Sequence, residues 1–222
     1  MHLYLLSNFH TIPNEHFALN LMFCEGLKTF HLRKKEYDEQ QMRKYIERIP
    51  SHFHDRIIIH SHFNLASEYK LKGAHFTKKY TLEDYKHDQN DSCLECKSFE
   101  RVGFSFHSLG EVEKDGKLYD YVFLSPIFDS ISNKGYNSKF KLNELRQYLQ
   151  HNVDRPEVVG LGGINTTKVH MAHDMGFDSI ALLGYIWTDY ETDQDLISLG
   201  NKFIGIQKMI EEKNQAKIVS TI

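Results

Sequence analysis

The chain has 222 residues, of which 41% are hydrophobic and 26% charged, as is typical of a folded globular protein with a sizeable core. Its formal net charge of −3 argues against a protein that binds nucleic acid or an anionic membrane through its overall charge. No apolar window approaches the length of a membrane span, and the apolar run after Met1 is too short for a signal peptide and lacks a basic start. We therefore expect a cytoplasmic protein without nucleic-acid or membrane partners.

The three cysteines agree with a reducing compartment, because an odd number in a chain without an export signal does not suggest a disulfide framework. Cys93 and Cys96 have C-x-x-C spacing, whereas Cys24 stands alone. A zinc knuckle would need a second pair of ligands, for which His87 is the only near candidate, and a redox pair would normally follow a strand. Both alternatives stay open, and we prefer two ordinary thiols in a polar loop over residues 86–97.

Short apolar runs recur along the chain at intervals of about 20 to 30 residues, and several of them are continuous, as in strands covered on both faces. The predicted strands are Leu3–Leu6, Thr29–Leu32, Arg56–His60, Gly73–Phe76, Val102–His107, Tyr121–Leu124, Val158–Leu161 and Ser179–Leu183.

Amphipathic segments with helix signals lie between these runs: Asp38 is a cap, Pro50 a stop, and Ser108 opens a capping-box pattern. The predicted helices are Asn14–Cys24, Asp38–Ile49, Phe63–Leu71, a short one from Ser108, Lys141–Leu149, Thr166–Met175 and Leu196–Glu212. Eight strands alternating with helices predict an α/β protein, a single-domain TIM (β/α)8 barrel over residues 1–212. Residues 213–222 are predicted to be a C-terminal tail, frayed or bound to a partner.

The last two strands are each followed by glycine. Gly162 and Gly163 precede Asn165 and Thr166, either of which is a suitable N-cap, and Gly184 repeats the arrangement one strand later. Backbone N–H groups at two adjacent strand ends predict a phosphate site, the usual one of this barrel. Tight turns without a ligand are the alternative. We expect Gly163→Val to abolish phosphate binding and to leave the fold intact.

Basic and histidine side chains follow the other strands, where a barrel has its active site. Arg33 and Lys35 alternate along an extended chain and therefore share a side, and Lys134 follows the sixth strand. The histidines at the strand ends are His31, His60, His62, His75 and His107. A metal centre built from them is a weaker alternative, because a catalytic site of that kind usually adds a carboxylate and none follows these strands. We therefore predict no metal there.

Taken together, these segments resemble the thiamine phosphate synthase/TenI family over nearly the whole chain. The similar segments are His31–Lys35, Gly73–Phe76, Ser105–Ser108 with Glu111, Asp120–Val122, Ser125–Phe128 with Lys134, and Gly160–Ile164. The resemblance implies a barrel enzyme of thiamine biosynthesis. It also implies roles for individual residues. Arg33, Lys35, Ser105 and Lys134 would bind pyrophosphate; Ser130, Ser132, Gly162, Gly163 and Gly184 would bind a thiazole phosphate; His31, His60 and His75 would line the substrate pocket.

Two departures from the family pattern bear on the reaction. Where the family has its magnesium carboxylates, this chain reads His60-Ser61 and Thr77-Lys78-Lys79. Magnesium prefers anionic oxygen ligands, so Mg²⁺ is expected only if the chain is a synthase, with Asp84 or Asp88 as replacement ligands.

The departures favour a TenI-like thiazole tautomerase, which moves a proton with His107 as base and takes a phosphorylated thiazole as substrate. A synthase that also takes a pyrimidine diphosphate is the runner-up, and a non-catalytic phosphate binder is the third alternative. A homo-oligomer stays open.

Overall fold

The computed structural model describes residues 1–88, 99–129, 131, 135 and 137–219, and it confirms the predicted barrel. Eight parallel strands pair in chain order, and the last pairs with the first, so the sheet closes on itself. The strands are β1 His2–Leu6, β2 Phe30–Leu32, β3 Ile57–Ile59, β4 Gly73–Phe76, β5 Arg101–Phe106, β6 Tyr121–Leu124, β7 Glu157–Leu161 and β8 Ser179–Leu182. Every predicted strand is present, and each end differs from its prediction by at most one residue.

Helices connect the strands and cover the outside of the barrel. They are α1 Glu15–Cys24, α2 Glu39–Glu47, α3 Asn64–Glu68, α4 Leu82–Asp88, α5 Leu109–Asp115, α6 Leu142–His151, α7 Thr166–Met175, α8 Gly184–Asp193 and α9 Leu196–Val219. Short 3-10 helices precede β3 (Ser51–Arg56) and β6 (Gly116–Leu118). None of the helices in the described part of the chain has the length and apolar character needed to cross a bilayer.

Two helices were missing from the prediction, and each has a local cause. The first, α4, overlaps the start of the polar stretch that we read as a loop. Its cap is a reciprocal pair in which the Asp84 carboxylate accepts from the Thr81 N–H at 2.7 Å and the Thr81 hydroxyl accepts from the Asp84 N–H at 3.1 Å. The second, α8, begins at Gly184 with an apolar run, and it packs Trp187 into the core, where its indole N–H donates to the Leu6 carbonyl.

The last helix is longer than predicted and extends past the predicted start of the C-terminal tail. We placed that start after Glu212, but α9 continues without a break to Val219. Part of the reason is that Asn214 is tied to the start of the chain: its side chain accepts from the Met1 amino group at 2.7 Å and donates to the Met1 carbonyl at 3.0 Å. Residues 213–219 are therefore helical, and residues 220–222 lie outside the described chain.

The barrel interior is packed with side chains from alternate strand positions, including Tyr4, Leu6, Ile58, Tyr121, Phe123, Val159 and Ala181. Only glycine fits at position 103, because a Cβ there would stand 2.0 Å from the Tyr121 ring. The amino-terminal end of the barrel is closed by Glu157, which accepts from Tyr4 at 2.8 Å and Ser179 at 2.6 Å and pairs with Arg101. Open space is left at the carboxyl ends of the strands.

Candidate active site

A cavity of about 300 Å³ opens at the carboxyl ends of the strands, where the sequence predicts the site. Its walls come from the ends of β2, β5, β6, β7 and β8 and from the loop after β1. The lining residues are Phe9, Arg33, Lys35, His107, Ser125, Pro126, Ile131, Leu161, Gly162, Gly163, Ile164, Ala181, Leu183, Gly184 and Tyr185. Phe9 and Tyr185 were not among the predicted site residues, because a single aromatic side chain, whether in the loop after β1 or near the start of α8, gives no local signal of a ligand.

The glycine turn after β7 has a backbone that other residues rarely adopt. Gly162 and Gly163 have φ of +102° and +66°. Among the described residues, no acceptor is found for their N–H groups or for that of Gly184, the first residue of α8. Asn165 caps α7 by accepting from the Thr167 N–H at 3.1 Å, so the N-termini of both α7 and α8 lie beside the cavity. This arrangement can bind an anion through backbone donors.

The same geometry corrects one expectation. A Cβ on Gly163 would stand 2.3 Å from the Asp129 carbonyl oxygen and 2.6 Å from the Phe128 Cβ. Backbone occupies that space, so Gly163→Val would disturb the fold as well as the cavity. The expectation that this variant keeps its fold is wrong, and it is unsuitable as a test of phosphate binding.

Arg33 and Lys35 lie on the same wall of the cavity, as their alternation predicts. The ring of Phe9 lies beside both cations, 4.9 Å from the Arg33 guanidinium carbon and 4.5 Å from the Lys35 Nζ. The backbone at Arg33 is fixed to β1, because its N–H donates to the Ser7 hydroxyl at 2.9 Å. Phe9 therefore holds two positive side chains near each other in the cavity that the glycine turns also line.

We expect Phe9→Leu to weaken the binding of inorganic pyrophosphate by about two- to tenfold, because leucine keeps the apolar bulk but not the electron-rich ring face that holds the cations. The dissociation constant, measured by calorimetry, checks this. Phe17→Leu is the control, since Phe17 is 57% exposed on α1 and does not line the cavity. Equal affinities in the two variants would show that the ring does not position the cations.

Lys34 points away from the cavity, between its two cationic neighbours in sequence. It is buried with Glu15 of α1, and its Nζ donates to the Glu15 carboxylate at 2.5 Å and to the His10 carbonyl at 2.7 Å. The rings of Tyr45 and Tyr37 lie 5.3 Å and 5.9 Å from the same nitrogen. This cation stabilises the fold and takes no part in the cavity.

His107 follows β5 at the rim of the cavity, and its hydrogen bonds fix its tautomer. Its Nδ1 lies 2.7 Å from the Ser125 carbonyl oxygen, which only accepts, so Nδ1 carries the proton and donates. In the neutral ring, Nε2 then holds the lone pair. The His107 backbone N–H donates to Glu111 at 3.0 Å, and contacts to Lys78 and this N–H lower the Glu111 pKa to about 2. The ring is therefore held in one tautomer at the cavity rim.

Ser105 and the three other predicted pocket histidines do not line this cavity. The Ser105 hydroxyl lies 2.8 Å from Nε2 of His75, so it is engaged within the barrel. His31 and His75 are completely buried, and His60 is partly exposed. The three rings form a separate cluster below the cavity mouth. Ser130, Ser132 and Lys134 lie outside the described residues, as do Cys93 and Cys96.

The composition of the cavity lining bears on whether magnesium binds here. None of the described residues that line the cavity is an aspartate or glutamate, whereas Mg²⁺ prefers anionic oxygen ligands. Asp84, one of the replacement ligands considered, caps α4 through Thr81. The side chain of Asp88, the other one, lies outside the described part of the structure.

Comparisons with known proteins agree with this geometry. The family model described as thiamine monophosphate synthase matches residues 3–186. The chain belongs to this family. A thiamine-phosphate synthase from Limosilactobacillus reuteri is 21% identical over 198 residues, covering 86% of each chain. One from Listeria welshimeri is 24% identical over 170 residues, covering 72% of this chain and 78% of the relative.

Solved structures show the same fold. A thiamine phosphate pyrophosphorylase from Bacteroides thetaiotaomicron superposes with a TM-score of 0.77 at 28% identity and covers 95% of this chain and 98% of its own. One from Pyrococcus furiosus has a TM-score of 0.74 at 17% identity and covers 96% of each chain. The protein is thus a member of an enzyme family of thiamine biosynthesis, with the barrel of that family.

Proposed function

We propose that this chain binds a phosphorylated thiazole and isomerises it by moving a proton, in the manner of a thiazole tautomerase. The observation that carries the proposal is the hydrogen bond from His107 Nδ1 to the Ser125 carbonyl, 2.7 Å long, which leaves Nε2 as the proton acceptor at the cavity rim. A general base held in a fixed tautomer is what such a reaction requires.

The other walls of the cavity supply binding. The N–H groups of Gly162, Gly163 and Gly184, which have no acceptor among the described residues, suit a phosphate monoester, and Arg33 and Lys35 line the same cavity. Anchoring the phosphate at the glycine turns would hold the heterocycle between the turns and His107, which raises the effective concentration of base and substrate. Arg33 and Lys35 would then bind an anionic group elsewhere on the substrate, such as a thiazole carboxylate.

The synthase reaction is the second candidate. The relatives from Limosilactobacillus reuteri and Listeria welshimeri are thiamine-phosphate synthases, and Arg33 and Lys35 together suit a diphosphate. In that reaction a pyrimidine diphosphate would couple to thiazole phosphate and release pyrophosphate. The developing charge on pyrophosphate would normally be neutralised by magnesium, for which the described cavity lining offers no carboxylate. This favours the tautomerase.

The deciding experiment gives the purified protein each set of substrates in turn, with magnesium and with a chelator. We expect thiazole carboxylate phosphate to isomerise at the same rate in both conditions, followed by nuclear magnetic resonance. Magnesium-dependent pyrophosphate release from hydroxymethylpyrimidine diphosphate and thiazole phosphate, without isomerisation, would replace this proposal by the synthase. Binding of thiazole phosphate without either turnover would mark a non-catalytic binder.

A further inference from the structure

Three histidine rings meet inside the barrel, below the candidate active site. They come from neighbouring strands: His31 lies in β2, His60 directly follows β3 and His75 lies in β4. Each offers a ring nitrogen, and these three atoms all lie within 4.8 Å of one another. Neither the proton transfer nor the phosphate site proposed above uses these rings.

The rings are in the form that binds metals. Burial is the main cause that lowers the pKa of His31 and His60 well below the usual value and that of His75 to about 3. All three are therefore neutral at physiological pH, with a lone pair on one nitrogen of each ring. Neutral imidazole nitrogen suits zinc, copper, iron and nickel, whereas magnesium prefers oxygen.

The hydrogen bonding of the cluster is incomplete. Nδ1 of His31 lies 2.9 Å from Nε2 of His60, so one proton is shared there. Within the described chain, His31 Nε2 and His60 Nδ1 are buried without a partner. Whichever ring donates, one buried N–H and one buried lone pair remain unsatisfied, which is unusual in a protein interior.

The structure assigns to His31, His60 and His75 a binding site for one divalent transition-metal ion such as zinc, with one nitrogen from each ring and a fourth position open. His31 Nδ1 and His60 Nε2 face each other, so the ion would replace the proton between them. That proton moves to the far nitrogen of the ring that donated it, and each ring stays neutral. His75 would use Nε2, because its Nδ1 lies 3.0 Å from the Tyr121 hydroxyl and can donate to it. Such outer hydrogen bonds orient metal-binding histidines. The ion would then displace the Ser105 hydroxyl, which lies 2.8 Å from His75 Nε2.

The spacing and charge of the cluster fit this use. A tetrahedral zinc ion with bonds of about 2.0–2.1 Å keeps its ligand nitrogens about 3.3 Å apart. The His31 and His60 nitrogens, which are 2.9 Å apart, would separate slightly, and the His75 ring, which is stacked on His60 with centroids 4.5 Å apart, would turn to bring its nitrogen to the ion. Three neutral ligands leave the full charge on the ion, and its open position therefore favours an anion, either hydroxide or an oxygen of a phosphate. Arg33, two residues beyond His31, lines the cavity and favours the same anion.

The proposed metal site is tested by measuring metal binding directly. This measurement does not depend on enzyme activity, so its outcome is separate from that of the proposed function. The full chain is stripped with a chelator and titrated with Zn²⁺ and Co²⁺. We expect one ion per chain, a visible Co²⁺ spectrum of a tetrahedral nitrogen site, and no displacement by excess Mg²⁺. Replacing a residue that only hydrogen-bonds to a metal ligand lowers metal affinity by about 10- to 100-fold. His60→Gln removes a ligand itself and should lower the affinity by more than that.

His62→Gln is the matched control, because His62 lies two residues from His60 and its ring nitrogen is 2.9 Å from the Tyr37 carbonyl, outside the cluster. It should bind metal as the unchanged protein does. His60 is partly exposed, so its variant should fold even if His31→Gln or His75→Gln does not. Absence of stoichiometric binding, or equal binding by His60→Gln and His62→Gln, would overturn the proposal.

Discussion

Replacing His107 by asparagine is expected to lower the rate of thiazole carboxylate phosphate isomerisation by about 10²–10⁴-fold, the usual contribution of a positioned general base. Asparagine keeps the approximate size of the side chain and retains an N–H that can donate to the Ser125 carbonyl, which the His107 ring contacts at 2.7 Å. It has no lone pair that accepts a proton near neutral pH. The loss should therefore appear in kcat.

The dissociation constant for thiazole phosphate should change little in His107→Asn, because the anion would be held by the glycine turns, Arg33 and Lys35. Single-turnover kinetics together with calorimetry separate the two quantities. His170→Asn is the control, since His170 is exposed on α7 and lies outside the cavity lining. An unchanged isomerisation rate in His107→Asn would remove this side chain from the mechanism.

The sequence predicts the rim of the barrel well because strand periodicity and strand ends are local signals. Two side chains separated by one residue share a face of a strand, which is enough to place Arg33 and Lys35 together and to send Lys34 to the other side. The strand ends were predictable within one residue because apolar runs stop at glycine or at charged and polar residues.

Depth inside the barrel is what the sequence does not show. Two residues along a strand advance about 6.6 Å, so His31 lies a full layer below Arg33 although both precede the same loop. Whether rings from β2, β3 and β4 meet depends on the stagger of neighbouring strands, which pairs Leu32 with Ile59 and Ile59 with Ala74. No pattern within one segment contains that register, so the sequence does not show that the three rings meet.

The contact of Phe9 with the cations was equally hidden. It depends on where the loop after β1 crosses the carboxyl end of β2, and a single phenylalanine in a loop gives no periodic signal. The same holds for the partner of Lys34, since Glu15 lies in the following helix and both residues look like ordinary surface charges in the sequence. Charged residues are rarely fully buried unless they are paired. From the sequence alone, Lys34 and Glu15 would therefore be placed at the surface, whereas the structure buries both as a pair.

We expect Lys34→Met to destabilise the protein by about 3–5 kcal/mol, the usual cost of breaking a buried ion pair by removing one partner. The side chains of Lys34 and Glu15 are 0% and 3% exposed, so water cannot replace the lost ammonium group. The neighbouring variant Lys35→Met is the control. Lys35 is exposed at the cavity mouth, and its loss should change stability by no more than about 0.5 kcal/mol. The free energy of unfolding from urea titrations measures both.

The effect of Lys34→Met should also depend on pH in a definite direction. Burial already raises the pKa of the Glu15 carboxyl, and the Lys34 charge opposes that rise. Without Lys34, the folded-state pKa rises further above the unfolded value. A group of this kind favours folding below its unfolded pKa, and that contribution is lost as pH rises through the folded pKa. The variant should therefore lose more stability relative to the unchanged protein at about pH 8 than at about pH 5.

The double variant Lys34→Met/Glu15→Leu separates the cost of an unpaired charge from the net value of the pair. Apolar side chains of similar volume can replace a buried ion pair with little loss, and Tyr37 and Tyr45 already surround the Lys34 ammonium with rings. We expect the double variant to recover most of the stability lost in Lys34→Met and to lose its pH dependence, because no buried carboxyl remains. A double variant as unstable as Lys34→Met would mean that the hydrogen bond from Lys34 to the His10 carbonyl, 2.7 Å long, stabilises this corner of the barrel more than the ion pair does.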